Sequence, residues 1–342
     1  VPLTLVTSER FADHLTPPGH PERVERAEVM QVVASEFRRR GGMVLPPRPA
    51  TEDELARVHD REYIRRIRAT AGRAVALDAD TFTSPDSYEV ALLGAGAGVA
   101  AVERVLAGGR GGRALALVRP PGHHAERGRA MGFCLFNNVA VAAAAARARG
   151  LARVAIVDYD VHHGNGTQWT FYEDPSVLFI SSHQYPFYPG TGASSDTGSG
   201  SGVGFTVNFP LEAGATDADY EMVYAAAANV LRQYRPEMVL VSAGFDAHRD
   251  DPLGGMRVST GQFSRLTARL RDVADECCNG HLVAVTEGGY DTAALADSLR
   301  GVIQALDQDT ALAAMPDATG ETRRAEASIS AARTHLAKAW TL

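Results

Sequence analysis

Val154-Ala-Ile-Val-Asp-Tyr-Asp-Val-His-His-Gly-Asn-Gly-Thr-Gln168 is the stretch that decides the fold. Val154 to Val157 are apolar without polar alternation, the pattern of a strand buried on both faces of a parallel sheet. The chain then turns polar: Asp158, Asp160, His162 and His163 arrive within six positions. Gly164 and Gly166 break the strand, and a helix is expected from Thr167. Ligands of an open α/β sheet bind beyond the carboxyl ends of its strands, so carboxylates and imidazoles gathered there point to a metal. Asp160 and His162 are two apart and face the same way in extended chain. One oxygen and one nitrogen suit Zn²⁺ or a similar divalent ion. A capped strand end with solvated polar groups would read the same over this stretch alone, so the other strand ends decide.

Working outward, strands are expected at Leu3 to Val6, Ala114 to Val118, Val177 to Ser181, Phe205 to Phe209, Met238 to Ser242 and Leu282 to Thr286. Helices are expected between them. The first begins at Pro21, where a missing N–H costs nothing, shows Val24, Ala27, Val33 and Phe37 on one face, and ends at Gly41-Gly42. Thr51 and Glu54 have capping-box spacing before one helical stretch through His59, Tyr63 and Ile67. Tyr88 to Leu106, Phe136 to Arg149, Asp217 to Tyr234, Ser259 to Cys278 and Ala293 to Leu306 complete the set. Phe11 to His20, Asp78 to Asp86 and Gln184 to Gly204 read as loops, the last with the length of a functional rim. Alternating strands and helices predict a single α/β domain over residues 1–342, with about eight mainly parallel strands and helices on both faces. The core covers about 3–306, and 307–342 forms a peripheral helical tail.

Composition narrows the function. The chain has 342 residues, 45% hydrophobic and 22% charged, as soluble globular proteins do. A net charge of −7 gives no reason to expect direct nucleic-acid binding or an anionic membrane. Cys134, Cys277 and Cys278 make neither a disulfide framework nor a CxxC site, which fits a reducing, cytoplasmic setting. No apolar run of membrane-spanning length and no signal-peptide pattern are read.

Four strands end in an unusual residue set: His123-His124, Asp158/Asp160/His162, Asp246, and Glu287-Gly-Gly-Tyr290. In a parallel sheet these ends share one edge. Singly each has a plain reading: a loop histidine pair, a helix cap, a half-buried core tyrosine. Jointly they make a site. Asp160, His162 and Asp246 supply three metal ligands and leave positions open, as catalytic zinc does. His123 and His124 offer imidazoles for proton transfer, Asp158 and Asn165 can orient them, and Tyr290 can donate to an oxyanion. The chemistry is metal-assisted hydrolysis of a carbonyl compound, most simply an amide.

The motifs Arg119-Pro-Pro-Gly-His-His-Ala125, Gly132-Phe-Cys-Leu-Phe-Asn-Asn138, Asp158 to Gln168, Ser242-Ala-Gly-Phe-Asp246 and Glu287-Gly-Gly-Tyr290 resemble the histone deacetylase superfamily, in its class II and bacterial amidohydrolase form. The resemblance implies the arginase–deacetylase fold, one Zn²⁺ held by Asp160, His162 and Asp246, and removal of acyl groups from acylated amines, typically N-acetyl-lysine. It makes His123 and His124 the tandem histidines, backed by Asp158 and Asn165, and Tyr290 the carbonyl-polarising tyrosine. Gly132 and Phe133, with Phe187 or Tyr188, match the walls of a substrate channel; Leu253 matches its mouth, and Gly288 joins the substrate-binding set. A K⁺ beneath the zinc is implied at Asp158, Ser181 and Ser182, with the main chain of Asp160 and His162.

Three competing readings remain to be weighed. An acetylpolyamine or other small-molecule deacetylase of the same superfamily would want an acidic gatekeeper where Leu253 stands, although Asp78, Asp80 and Asp86 offer acid nearby. A binuclear ureohydrolase would want further ligands where Val161 and Gly164 stand. A non-catalytic acyl-lysine binder would be free to lose Tyr290 or a zinc ligand, and none is lost. The expected partner is an acylated lysine or small acylated amine. The N-terminal loop and C-terminal tail offer contacts for a homo-oligomer.

Overall fold

The computed structural model describes residues 3–307, 318 and 320–342. The strands are β1 (Thr4–Val6), β2 (Met43–Leu45), a short hairpin β3/β4 (Val75–Ala76, Phe82–Thr83), β5 (Arg113–Ala116), β6 (Val154–Asp158), β7 (Val177–Gln184), β8 (Thr206–Leu211), β9 (Met238–Ala243) and β10 (Leu282–Thr286). Apart from the antiparallel hairpin they form one sheet of eight parallel strands in the order β2-β1-β5-β10-β9-β6-β7-β8. The expectation of a mainly parallel sheet was conservative: every pairing in this sheet is parallel.

The helices are α1 (Val24–Arg39), α2 (Glu52–Leu55), α3 (Arg61–Arg68), α4 (Ser87–Gly108), α5 (Asn138–Ala148), α6 (Asn165–Phe171), α7 (Asp217–Tyr234), α8 (Thr260–Cys277), α9 (Thr292–Asp307) and α10 (Arg323–Leu336). They cover both faces of the sheet, because residues alternate sides along a strand. Ala155 and Val157 of β6 join the core under α1, α7, α8 and α9, whereas Val154 and Ile156 join the one under α3, α4 and α5. A strand buried on both sides has no polar alternation to show, which is why β6 reads as a plain apolar run.

Several expectations need correction. β2 was not anticipated: it is three residues long, at the sheet edge, and half exposed, so it carries no apolar run. The expected helix after Thr51 is two, α2 with its full capping box and α3 from Arg61. β7 runs on to Gln184, three residues past Ser181. Against the reading that no apolar run could span a membrane, the 22-residue α4 is long and apolar enough by length and composition; 67% of its apolar stretch is nevertheless buried inside the protein. In the tail, α10 buries Ala325, Ile329, Ala332 and Leu336 beside β8 and α7, while 308–317 and 319 lie outside the described residues.

The four chemistry-bearing strands, β5, β10, β9 and β6, are neighbours at the centre of the sheet. Parallel pairing puts their carboxyl ends side by side. Asp158, the last residue of β6, stands level with Ser242 of β9 and Ser181 of β7.

Candidate active site

Beyond β6 the chain folds back through its own carboxylates. Asp158 Oδ1 accepts the Asp160 N–H at 3.1 Å, and Asp160 Oδ1 accepts the His162 N–H at 2.9 Å. Such local carboxylate-to-backbone bonds make tight turns. Two neighbours finish the arrangement: Gly288 donates its N–H to Asp160 Oδ2 at 2.8 Å, and Asp246 Oδ1 accepts the Val161 N–H at 2.9 Å. Glycine is required at 244 and 288, since a Cβ at either would enter the Asp160 or Asp246 carboxylate.

The ligand atoms of Asp160, His162 and Asp246 lie within 4.8 Å of one another, all buried. His162 Nδ1 is 3.2 Å from Asp160 Oδ1 and 3.1 Å from Asp246 Oδ2. Burial and the adjacent Asp160 charge push the Asp246 carboxyl up to about 7. Burial opposes charge on His162, but bonds to the two carboxylates outweigh it and hold that imidazole up at about 10. Two carboxylates converging on one imidazole nitrogen away from water call for positive charge between them, which a charged His162 or a bound metal ion would supply. A mixed N and O donor set of three fits Zn²⁺ with room for further ligands.

His123 and His124 follow β5, their rings 4.0 Å apart. His123 Nδ1 is 3.0 Å from Asp158 Oδ2, and His124 Nδ1 is 2.7 Å from Asn165 Oδ1. Burial disfavours charge on both. On His123 the Asp158 and Asp160 carboxylates overcome it and raise the pKa to about 10. On His124 the bond to Asn165 and the charge of Asp160 are outweighed, and burial together with His123 and His162 holds the pKa well below the usual range.

A cavity of about 80 Å³ opens onto this group, lined by Asp80, His124, Gly132, Phe133, His162, Tyr188, Leu253 and Tyr290. Phe133 meets Tyr290 edge-on at 5.7 Å, and Tyr188 meets His124 edge-on at 5.2 Å. The remaining expected residues lie elsewhere: Phe187 stacks on His162 at 5.4 Å, and Gly288 rests against the metal carboxylates. Ser181 Oγ pairs with His183, and Ser182 Oγ with the Tyr224 hydroxyl.

Sequence reasoning missed the residues that hold these groups in place. Glu287 Oε2 accepts the N–H groups of Gly122 and His123 at 2.6 and 3.1 Å, and Oε1 accepts the Ser242 hydroxyl at 3.0 Å, tying three strand ends together. Asp251 accepts the Tyr290 N–H at 2.6 Å and the Leu253 N–H at 2.9 Å, fixing two lining residues at once. Arg26 donates to the Gly289 carbonyl at 2.7 Å and to that of Glu287, and its guanidinium lies 5.0 Å over the Tyr290 ring. Glu22 compensates the buried charge, bonding Arg26 at 2.9 Å and Arg119 at 2.6 Å. A signal existed. Arg26 lies on the stripe that continues through Met30, Val33 and Phe37, and Glu22 stands four residues before it, just ahead of α1.

The histone deacetylase domain model matches residues 20–306. Histone deacetylase 10, chloroplastic, of Oryza sativa subsp. japonica is 40% identical over 322 residues, which is 87% of this chain and 72% of that one. The human polyamine deacetylase HDAC10 is 41% identical over 308 residues, 84% of this chain and 45% of that one. A crystal structure of the HDA15 HD domain superposes with a TM-score of 0.89 at 34% identity, covering 99% of this chain and 95% of that one. With eight parallel strands, a buried Asp–His–Asp group at their carboxyl ends and a family match over most of its length, the chain belongs to the histone deacetylase domain family and is a deacetylase of the amidohydrolase kind.

Proposed function

We propose that the chain removes acetyl or other short acyl groups from the side-chain nitrogen of lysine in proteins or peptides. One observation carries this reading. The narrow aromatic cavity is lined by His162 of the metal group, and two other residues of its lining, Leu253 and Tyr290, also line a groove of about 600 Å³ with Leu15, Pro17 and Pro18. A thin channel suits a linear acylated side chain, and a wide mouth suits the polypeptide that bears it. A second reading, acetylpolyamine hydrolysis, is favoured by Asp80, a carboxylate in the cavity lining able to meet a substrate ammonium.

Asp160, His162 and Asp246 would hold a divalent ion, and that ion would supply Lewis acidity toward the acyl carbonyl and water. The protein does the rest. Asn165 Nδ2 donates to Glu126 at 2.8 Å, so Oδ1 is the atom facing His124 and the His124 proton sits on Nδ1. His124 Nε2 is then free to take a proton from water and pass it to the leaving amine. His123, kept charged by Asp158, acts electrostatically, and the Tyr290 hydroxyl donates to the developing oxyanion. The site proposed for K⁺ takes in Asp158, Ser181 and Ser182 with the main chain of Asp160 and His162. The Ser181 hydroxyl proton points at His183, which leaves its oxygen lone pairs open to a cation.

The test compares kcat/KM on an acetyl-lysine peptide with that on acetylputrescine and acetylspermidine. The peptide is expected to lead by about tenfold or more, the discrimination that a few pocket contacts supply; preference for a polyamine overturns the lysine assignment. The histidines divide the work unequally. His124→Ala should lose about a hundredfold to ten-thousandfold in kcat and His123→Ala less. Equal losses, or the reverse order, reject this division.

A further inference from the structure

We propose that His163 and His183 are positioning residues for the substrate channel: together they latch the loop that carries Tyr188 to the strand ends that carry the metal group. The proposal rests on the reading of Tyr188 as a channel wall.

His163 follows His162 beyond β6, and His183 lies near the end of β7. Both are fully buried, with ring centroids 4.7 Å apart, and neither enters the chemistry derived above. Every nitrogen of the two rings has a partner, and the partners fix where the protons are. His183 Nε2 is 2.9 Å from the Gly192 carbonyl, which can only accept, so Nε2 carries the proton and Nδ1 accepts from the Ser181 hydroxyl at 2.9 Å. Gln168 Oε1 accepts from Asn208 Nδ2 at 2.8 Å and is 2.9 Å from His163 Nε2. His163 Nε2 is therefore also the donor, and Nδ1 accepts the Thr191 hydroxyl proton at 2.7 Å.

Two consecutive loop residues, Thr191 and Gly192, are thus each held by one of the two histidines. Gly192 is pressed onto them: its φ is +91°, and a Cβ there would enter both rings. The other end of the loop is pinned where the Gln184 N–H meets the Val161 carbonyl and the Tyr185 N–H meets the Leu211 carbonyl, both at 2.8 Å. Between these anchors the segment makes its own turn, the Gly190 N–H donating to the Phe187 carbonyl at 2.7 Å. Tyr188 sits on that turn, so its place in the cavity lining, edge-on to His124, is set by the two ends. A neutral imidazole suits the task, presenting a donor and an acceptor on opposite sides of a rigid ring. The adjacent histidines 162 and 163 then serve two purposes, one holding the metal and the other the channel wall.

The test is Thr191→Val in the zinc-loaded protein, which removes the hydroxyl bound by His163 and leaves both histidines in place. Two inhibitors are compared: acetohydroxamate, which reaches only the metal, and a long aliphatic hydroxamate, which also fills the channel. In the wild type the long compound should bind more tightly. In Thr191→Val, acetohydroxamate and kcat should be unchanged, while the long hydroxamate weakens and KM rises by about three- to tenfold, the range one buried hydrogen bond corresponds to. Thr191→Ser should restore both. The latch is overturned if the long compound binds Thr191→Val as it binds the wild type, if the two inhibitors weaken together, or if Thr191→Ser behaves like Thr191→Val. Equal affinity of the wild type for the two hydroxamates would instead overturn the channel reading, and with it the latch.

Discussion

Asp246→Ala is expected to purify without its divalent ion and without activity. The ligand group has three members, and Asp246 brings one of its two carboxylates. Without it, Asp160 and His162 remain as ligands, and they come from the same turn of chain. Both coordinating charge and the fixed point contributed by β9 are lost. Affinity should fall by more than the roughly 10–100-fold that loss of an outer partner costs. The competing view makes Asp246 a structural acceptor, since its Oδ1 also holds the Val161 N–H at 2.9 Å. Asp246→Asn separates the two: it keeps an oxygen for Val161 but loses the charge. A metal role leaves Asp246→Asn folded and depleted of zinc by elemental analysis, with a thermal midpoint that no longer rises on adding zinc. Full occupancy in Asp246→Ala would remove Asp246 from the ligand set.

What the sequence showed and what it hid follow a physical division. β6, β9 and β10 are buried on both faces, so each is an unbroken apolar run, and polar residues at its end stand out. The metal group and the tandem histidines were legible for that reason, and parallel pairing did the rest. β2 was hidden because an edge strand with exposed Met43 and Leu45 has no such run. The buried ion network was hidden for the opposite reason. A Glu and an Arg four residues apart ordinarily mark a solvated face, yet Glu22 and Arg26 are fully buried. Their third partner, Arg119, is 97 residues from Glu22. Asp251, Glu287 and the two latch histidines were hidden similarly. Asp251 holds the Tyr290 N–H, Glu287 the His123 N–H and His163 the Thr191 hydroxyl, all far along the chain, while His183 reaches Gly192 across a folded loop, and local pattern carries no trace of such bonds. Residue type pointed to the chemistry; the groups that hold it still became visible only in three dimensions.

Tyr290→Phe tests the last element of the mechanism, and turnover is expected to fall about a hundred- to a thousandfold, the usual cost of losing one oxyanion donor. The acyl carbonyl gains negative charge as it is attacked, and ligands that include two carboxylates weaken the electrophile available to it. Among the other lining residues, Asp80, Gly132, Phe133, Tyr188 and Leu253 offer no cationic side chain. Tyr290 offers a phenol, and burial pushes that hydroxyl well above its usual range, so it stays protonated and able to donate. Its position owes little to the hydroxyl. Asp251 holds the backbone N–H at 2.6 Å, Arg26 covers the ring, and Phe133 meets the ring edge at 5.7 Å. Phenylalanine can make all three contacts, so zinc content, thermal midpoint and KM should stay near wild type while kcat falls. If Tyr290 served only the core, as its burial alone would suggest, turnover per folded, zinc-loaded molecule would not fall. A well-folded, zinc-replete Tyr290→Phe protein with wild-type kcat would therefore place the oxyanion donor elsewhere.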